Sequence, residues 1–169
     1  VLAFFGATFA IITVALISGA IADRAKFGAW LIFAGLWATI VYFPVAAWVW
    51  GGGWIFNMGT LFGLDYSTLD YAGGTAVHIN AGAAALALAI VLGKRVGYGK
   101  DQMAPHNLTF VLTGAGLLLF GWYGFNAGSN LEANGLTALV ILNTTIAAAA
   151  AALAWMLGEW IVRGHPSLL

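Results

Sequence analysis

The most informative segment of the chain is Asp70-Tyr-Ala-Gly-Gly-Thr-Ala-Val-His-Ile-Asn-Ala-Gly82, which opens an apolar run that continues through residue 92. An acid, a histidine and an asparagine therefore lie in or beside a segment long enough to cross a bilayer. Ionisable groups at that depth cost on the order of 2.5–3.5 kcal/mol each on insertion scales, so a functional role is the default hypothesis. The structural alternative is that Asp70 caps a helix and His78 only packs. Both residues together, with glycines between them, favour a site.

The composition indicates an integral membrane protein. Of 169 residues, 62% are hydrophobic and 7% are charged, whereas a soluble domain carries about 25% charged residues. The net charge is zero and gives no sign of a nucleic-acid partner. The absence of cysteine excludes disulfides, thiolate metal sites and thiol catalysis.

Five apolar stretches are each about long enough to cross the hydrocarbon core, which takes about 20 helical residues. They cover residues 1–22, 29–50, 75–92, 108–125 and 135–160. Pro44 predicts a kink in the second stretch. The pattern therefore predicts an all-α integral membrane protein, a polytopic bundle with five transmembrane helices.

The basic residues agree with five spans. They fall in the first, third and final connections and are Arg24, Lys26, Lys94, Arg95, Lys100 and Arg163. With five spans, all six lie on one side of the membrane, and the positive-inside rule makes that side cytoplasmic. We therefore expect a multi-pass protein of the inner (plasma) membrane, with its basic loops in the cytoplasm and Val1 outside.

Two helix faces carry small or polar residues at helical spacing. On the fourth span these are Gly114, Gly121, Gly124 and Gly128, and on the third they are Thr75, His78 and Gly82. Small residues let helix backbones approach closely in lipid. The first face therefore predicts tight helix packing, and the second predicts that His78 points into the bundle.

No motif indicates an enzyme. The chain has no HExxH, P-loop or dinucleotide fingerprint. Ser129, His78 and Asp70 have the residue types of a Ser/His/Asp catalytic set, but nothing in the sequence fixes their geometry. The three histidines lack metal-ligand spacing, so we expect neither a metal nor a cofactor.

At the level of motifs, the chain resembles the ammonium transporter (Amt/Mep/Rh) family, in its bacterial Amt branch. The segment from Asp70 to Asn80 is similar to the family's central signature, and Gly121-Trp-Tyr-Gly-Phe-Asn-Ala-Gly-Ser129 is similar to its next motif. Shorter matches are Val49-Trp-Gly-Gly-Gly53, Lys94-Arg-Val-Gly97, Pro105-His-Asn107, Gly158-Glu-Trp160 and Pro166-Ser-Leu168. The resemblance runs through the whole chain in order.

The resemblance implies an eleven-helix fold made of two inverted five-helix halves and assembled as a homotrimer. This chain resembles helices three through seven. Residues 1–169 are therefore expected to be a transmembrane-domain fragment with both ends incomplete, which agrees with a first residue other than methionine.

The resemblance also implies transport of ammonium or ammonia. It assigns Trp50, Ser129 and Phe5 to an aromatic site that recruits the cation at the outer mouth. It makes Phe5 and Phe125 a stacked gate below that site.

The remaining implied roles concern the pore and its entrance. His78 is the first of two pore histidines, and Trp122 and Thr75 are further pore-lining positions. Asp70 holds the start of its helix and stabilises the incoming cation indirectly.

Two other functions remain open at this point. One is an ammonium sensor, in which the same fold is coupled to a signalling domain or partner. The other is a helical bundle in which the polar residues only pack. The resemblance also implies a cytoplasmic PII-type regulatory protein as a partner.

Overall fold

The computed structural model describes residues 1–167, so Leu168 of the Pro166-Ser-Leu168 motif lies outside the described residues. Those residues are helical and contain no strand. Five helices are long and apolar enough to cross a membrane: Leu2–Ile21, Phe27–Trp50, Gly74–Leu92, Leu108–Gly128 and Gly135–Arg163. The predicted polytopic helical fold with five spans is confirmed. The described residues form two compact units, one from Val1 to Ala104 and one from Pro105 onward.

Unit 1 contains the first three spans. Helix α1 is Leu2–Ile17 and ends in a 3₁₀ turn at Ser18–Ile21. The second span is α2 (Phe27–Trp37), a π-helical segment (Ala38–Tyr42) and α3 (Phe43–Trp50). A short helix, α4 (Met58–Leu61), interrupts the following loop. The third span is a π-helical segment (Gly74–Ile79) continued by α5 (Asn80–Leu92).

A π-helical segment lies just before Pro44, and the kink expected at this proline stays a prediction. Proline has no N–H to donate, and its ring crowds the carbonyl group four residues earlier. A π turn changes the local hydrogen-bonding pattern, and π segments are often found at functional sites. The second span remains one continuous helical rod from Phe27 to Trp50.

The core of unit 1 lies where α1 packs against α5 and both π-helical segments. Its buried hydrophobic residues are Phe9, Ile17, Trp37, Tyr42, Val49, Ala76, Val77 and Ala81. One buried polar group lies among them, the Thr13 hydroxyl, which donates to the Phe9 carbonyl oxygen at 2.6 Å. That bond keeps the hydroxyl satisfied inside an apolar core.

Two arginines join the basic ends of the first and third spans. The Arg24 guanidinium donates to the carbonyl oxygens of Ala20 and Gly93. Arg95 forms an ion pair with Asp23. Carbonyl groups at a helix end lack partners within the helix, so Arg24 supplies donors there.

Unit 2 is a pair of helices, α6 (Leu108–Gly128) and α7 (Gly135–Arg163). Each begins at an asparagine cap. The Asn107 side-chain oxygen accepts from the Phe110 amide at 3.0 Å. The Asn134 oxygen accepts from two amides in the first turn of α7. Asparagine is among the best N-cap residues for this reason.

Unit 2 shows no close contact at three of the four fourth-span glycines, and the tight packing expected there stays a prediction. A Cβ atom added at Gly114, Gly121 or Gly124 would meet nothing within 4 Å. Polar side chains of α6, Tyr123 and Asn126, hydrogen-bond to α7. Helical spacing correctly groups the glycines on one face but does not say which face meets a neighbour.

Candidate functional site

Asp70 is the central acceptor at the start of the third span. Its Oδ1 atom accepts from the amides of Gly73 at 2.6 Å and Gly74 at 2.8 Å. Its Oδ2 atom accepts from the amides of Thr75 and Ala76, both at 2.9 Å. Four amides that lack helical partners are thereby satisfied by one carboxylate. This is the geometry of the helix cap that the sequence predicts.

Gly73 makes this cap possible. Its φ of 97° lies in the left-handed region, which glycine adopts without steric cost. The turn brings the next amides around to face the carboxylate. The Gly73 carbonyl oxygen then accepts from both Val77 and His78 at 3.0 Å. The second of these bonds has π-helical spacing, so the wide turn begins at the capped glycine.

Trp50 is fixed to the same residue from the end of the second span. Its indole Nε1–H donates to the Asp70 backbone carbonyl at 2.8 Å. The side chain remains 39% exposed, so the ring is held at its polar edge while part of its surface stays open. A tryptophan in this arrangement can offer a ring face to a cation.

Phe9 connects Trp50 to Phe5. The Phe9 ring makes edge-to-face contacts with Phe5 at a centroid distance of 5.0 Å and with Trp50 at 5.6 Å. Phe9 is only 5% exposed. Such T-shaped pairs are a preferred aromatic geometry. Phe5, Phe9, Trp50 and the Asp70 cap thus form one assembly, which we call the aromatic cluster.

Thr75 and His78 lie in the π-helical segment that follows the cap. Thr75 is half-buried, and its amide is one of the four held by Asp70. His78 is exposed within unit 1, as is Gly82, while Ala76, Val77 and Ala81 form the buried side. The predicted inward orientation of His78 is therefore not found in this unit. The prediction assumed the 3.6 residues per turn of an α-helix. The wider π turn changes which residues face the core.

Unit 2 brings together the other three candidate residues on the last turns of α6. The rings of Trp122 and Phe125 stack at 5.0 Å with an interplanar angle of 13°. The Ser129 hydroxyl donates to the Phe125 carbonyl oxygen at 2.8 Å. Spacings of three and four residues place all three on one helix face. We call Trp122 and Phe125 the stacked rings.

The residue that sequence reasoning missed is Phe9. It is the most buried aromatic of the cluster and touches both Phe5 and Trp50. A signal was present in the sequence, because Phe5 and Phe9 are four residues apart and therefore share a helix face. Among the described residues, no group of three or more His, Cys, Asp or Glu could hold a metal ion.

Five apolar helical spans, with a capped π-helical segment at the start of the third, define a class of protein, the polytopic helical membrane proteins. Charged and polar groups placed inside such spans mark ion or substrate pathways in this class. Comparison with known proteins specifies the class further.

The profile of the Ammonium Transporter Family matches residues 1–169. An ammonium transporter of Mycobacterium tuberculosis is 59% identical over 98% of this chain, and one of Bacillus subtilis is 51% identical over 98%. A crystal structure of a Candida albicans Mep2 mutant aligns with a TM-score of 0.80 and 38% identity over 95% of this chain. The chain belongs to the Ammonium Transporter Family.

The match covers part of each relative. The chain spans 35% of the length of the Mycobacterium protein, 38% of the Bacillus protein and 35% of the Mep2 chain. The predicted family resemblance, including its restriction to part of the relatives' length, is confirmed.

Proposed function

We propose that the protein to which this chain belongs transports ammonium across a membrane. The observation that carries the proposal is the family match over residues 1–169, together with relatives named ammonium transporters. The aromatic cluster in unit 1 and the stacked rings in unit 2 each carry groups suited to binding or passing such a substrate.

The aromatic cluster is suited to recruit a small cation. Aromatic faces attract cations by about 0.5–2 kcal/mol, and tryptophan is the best of them. Trp50 is held by its indole N–H and keeps an open surface, so its orientation does not have to be established when the cation arrives. Phe5, held against Phe9, adds a second aromatic surface.

The Asp70 carboxylate is occupied by four amides. We therefore assign it an indirect effect on the cation. Its negative charge contributes to the potential near Trp50, while its oxygen atoms are engaged with the start of the π-helical segment. Direct ligation by Asp70 would have to displace these hydrogen bonds.

Passage through an apolar interior favours the neutral molecule. Moving an unpaired ion into such a medium costs tens of kcal/mol in the idealised limit. Deprotonating an amine with a pKa of about 9–10 costs roughly 3–4 kcal/mol at pH 7. Passage as neutral ammonia, or with the proton handed over separately, is therefore favoured over passage of the bare ion.

His78 is the residue we propose to serve this step. A neutral imidazole has one donor and one acceptor nitrogen, so it can hydrogen-bond ammonia or pass on a proton. The π-helical segment places His78 on the exposed side of unit 1, where it is accessible. We propose that Thr75 lines the same path, and that Trp122, Phe125 and Ser129 supply pore-lining and cation-binding groups from α6.

We also propose the orientation and assembly of the protein. The basic residues fall in the first, third and final connections, and by the positive-inside rule this pattern supports cytoplasmic loops in a protein of the inner (plasma) membrane. The family resemblance supports a homotrimer and a PII-type regulatory partner on that basic face.

The test is ammonium flux into liposomes that contain the complete protein or its His78→Ala variant, at equal folded amount. A matched control is Ile79→Ala, which truncates an exposed neighbour in the same segment. We expect flux to collapse, or to become that of a conducted ion, only in the His78 variant. A well-folded parent without flux would contradict transport and favour the sensor.

A further inference from the structure

Two hydrogen bonds join α6 to α7, and a third joins the turn after α6 to the first turn of α7. The Tyr123 hydroxyl lies 3.0 Å from the Thr145 hydroxyl, and the Asn126 amide donates to the Thr144 hydroxyl at 3.0 Å. Nearer the connecting turn, the Asn130 amide donates to the Thr137 hydroxyl at 2.9 Å. We call these three pairs the interhelical ladder.

The ladder follows the register of two antiparallel helices. As the residue number rises along α6 it falls along α7. Tyr123 and Asn126, the two ladder residues within α6, are three residues apart and therefore share one face, and Asn130 follows in the turn. Ala127 and Thr144 are the buried residues among those described in unit 2. The ladder therefore identifies the side of α6 that faces α7.

The stacked rings lie on the adjacent face of the same helix. Trp122, Phe125 and Ser129 each precede a ladder residue by one position, and one residue corresponds to about 100° around a helix of 3.6 residues per turn. The direction in which the rings point therefore depends on how α6 is rotated about its own axis.

Apolar contacts alone fix that rotation poorly. Without a hydrophobic force between helices in lipid, packing and interhelical hydrogen bonds determine how helices meet. Gly114, Gly121 and Gly124 offer no close contact on their side of α6. Side chains reach about 5–6 Å from a helix axis, so a rotation of about 20° would move a ring by about 2 Å.

We infer that the Asn126–Thr144 hydrogen bond sets the rotation of α6 and so aims the stacked rings. Asn126 is then a positioning residue for the pore, and this role rests on the proposed transport function. Thr144 is 7% exposed, which makes it the most enclosed member of the ladder. In an enclosed site the bond competes with water least, so its loss has the largest effect.

The test uses Thr144→Val, which removes the hydroxyl at nearly constant shape, and Thr144→Ser, which keeps it. The control is Thr113→Val, because the Thr113 hydroxyl donates at 2.8 Å to the Thr109 carbonyl within its own helix. Ammonium and methylammonium flux are measured per folded molecule of the complete protein. We expect the ratio of the two fluxes to change about threefold or more in Thr144→Val and Asn126→Leu.

Loss of stability alone would not move this ratio, because the amount of folded protein divides out. Recovery of the parent ratio in Thr144→Ser would support the inference. If the ratio of the two fluxes in both Thr144→Val and Asn126→Leu equals that of the parent protein, the inference is overturned.

A second measurement does not depend on transport. The labelling rate of a Ser129→Cys protein by a water-soluble maleimide is compared with and without Thr144→Val, in a background without other reactive cysteines. A rate changed at least twofold supports rotation, and an unchanged rate overturns the inference. If the parent shows no flux, the proposed function fails. The labelling rate then still tests whether the Asn126–Thr144 hydrogen bond sets the rotation of α6.

Discussion

Replacing Asp70 tests the cap that begins the third span. Asp70→Ala removes the acceptor for four amides, of which the Gly74 amide is exposed and the other three are partly buried. Water can replace the carboxylate at the exposed amide. Leaving a partly buried amide unsatisfied costs about 1 kcal/mol at the low end of the usual range. We therefore expect Asp70→Ala to lower the free energy of unfolding by about 3 kcal/mol.

Asp70→Asn separates hydrogen bonding from charge. The carboxamide keeps one oxygen, which can still accept from two amides, while its NH₂ group replaces the other acceptor. We expect the loss to be about half that of the alanine variant, and a larger share of the ammonium flux to remain. The matched control is Asp65→Ala, the same change at an exposed position of the same loop.

Unfolding is measured by titrating the detergent-solubilised complete protein with SDS, and flux is measured in liposomes. If Asp70→Ala is no less stable than Asp65→Ala, the capping role is refuted. Equal and complete loss of flux in Asp70→Asn and Asp70→Ala, with both folded, would show that the charge itself is essential.

Three further substitutions test other contacts. Trp50→Phe keeps an aromatic face but loses the hydrogen bond to the Asp70 carbonyl, so we expect the free energy of unfolding to fall by about 0.5–1.5 kcal/mol. The ammonium concentration that gives half-maximal flux should rise less in Trp50→Phe than in Trp50→Leu. Both quantities are measured in reconstituted protein. Phe9→Ala empties a buried site and should cost about 3–5 kcal/mol in the SDS titration; a loss under 1 kcal/mol would show that the cluster is loosely packed. Arg24→Gln removes the link to the Gly93 carbonyl and, at this partly exposed position, should cost about 1 kcal/mol, with normal stability as the contrary result.

The spans could be predicted because length and apolar composition are properties of the local sequence. All five predicted stretches match helices within about three residues at each end. The Asp70 cap could also be predicted, because an acid before a run of exposed amides has few other local uses.

Contacts that depend on pairing could not be predicted in this way. In the sequence, nothing distinguishes Thr144 and Thr145 from other threonines in an apolar helix, whose hydroxyl groups often hydrogen-bond to backbone carbonyl groups of the same helix. The Thr145 hydroxyl does donate to the Ile141 carbonyl. That Asn126 meets Thr144 depends on the register of two helices, which neither segment encodes alone. The same limit applies to the contact of Phe9 with Trp50, whereas its contact with Phe5 lies within one helix.

The π-helical segment at Gly74–Ile79 has one more consequence. Its turn holds an extra residue relative to an α-helix, so it acts as a one-residue insertion that the helix absorbs without breaking. Deleting a single residue there would restore an α-helical count and turn the side chains on one side of the deletion by about 100° relative to those on the other. His78 and the Asp70 cap lie at opposite ends of this segment. The number of residues between the cap and His78 therefore sets the direction of His78 around the helix axis. Adding or removing one residue there would change that direction more than replacing a side chain would.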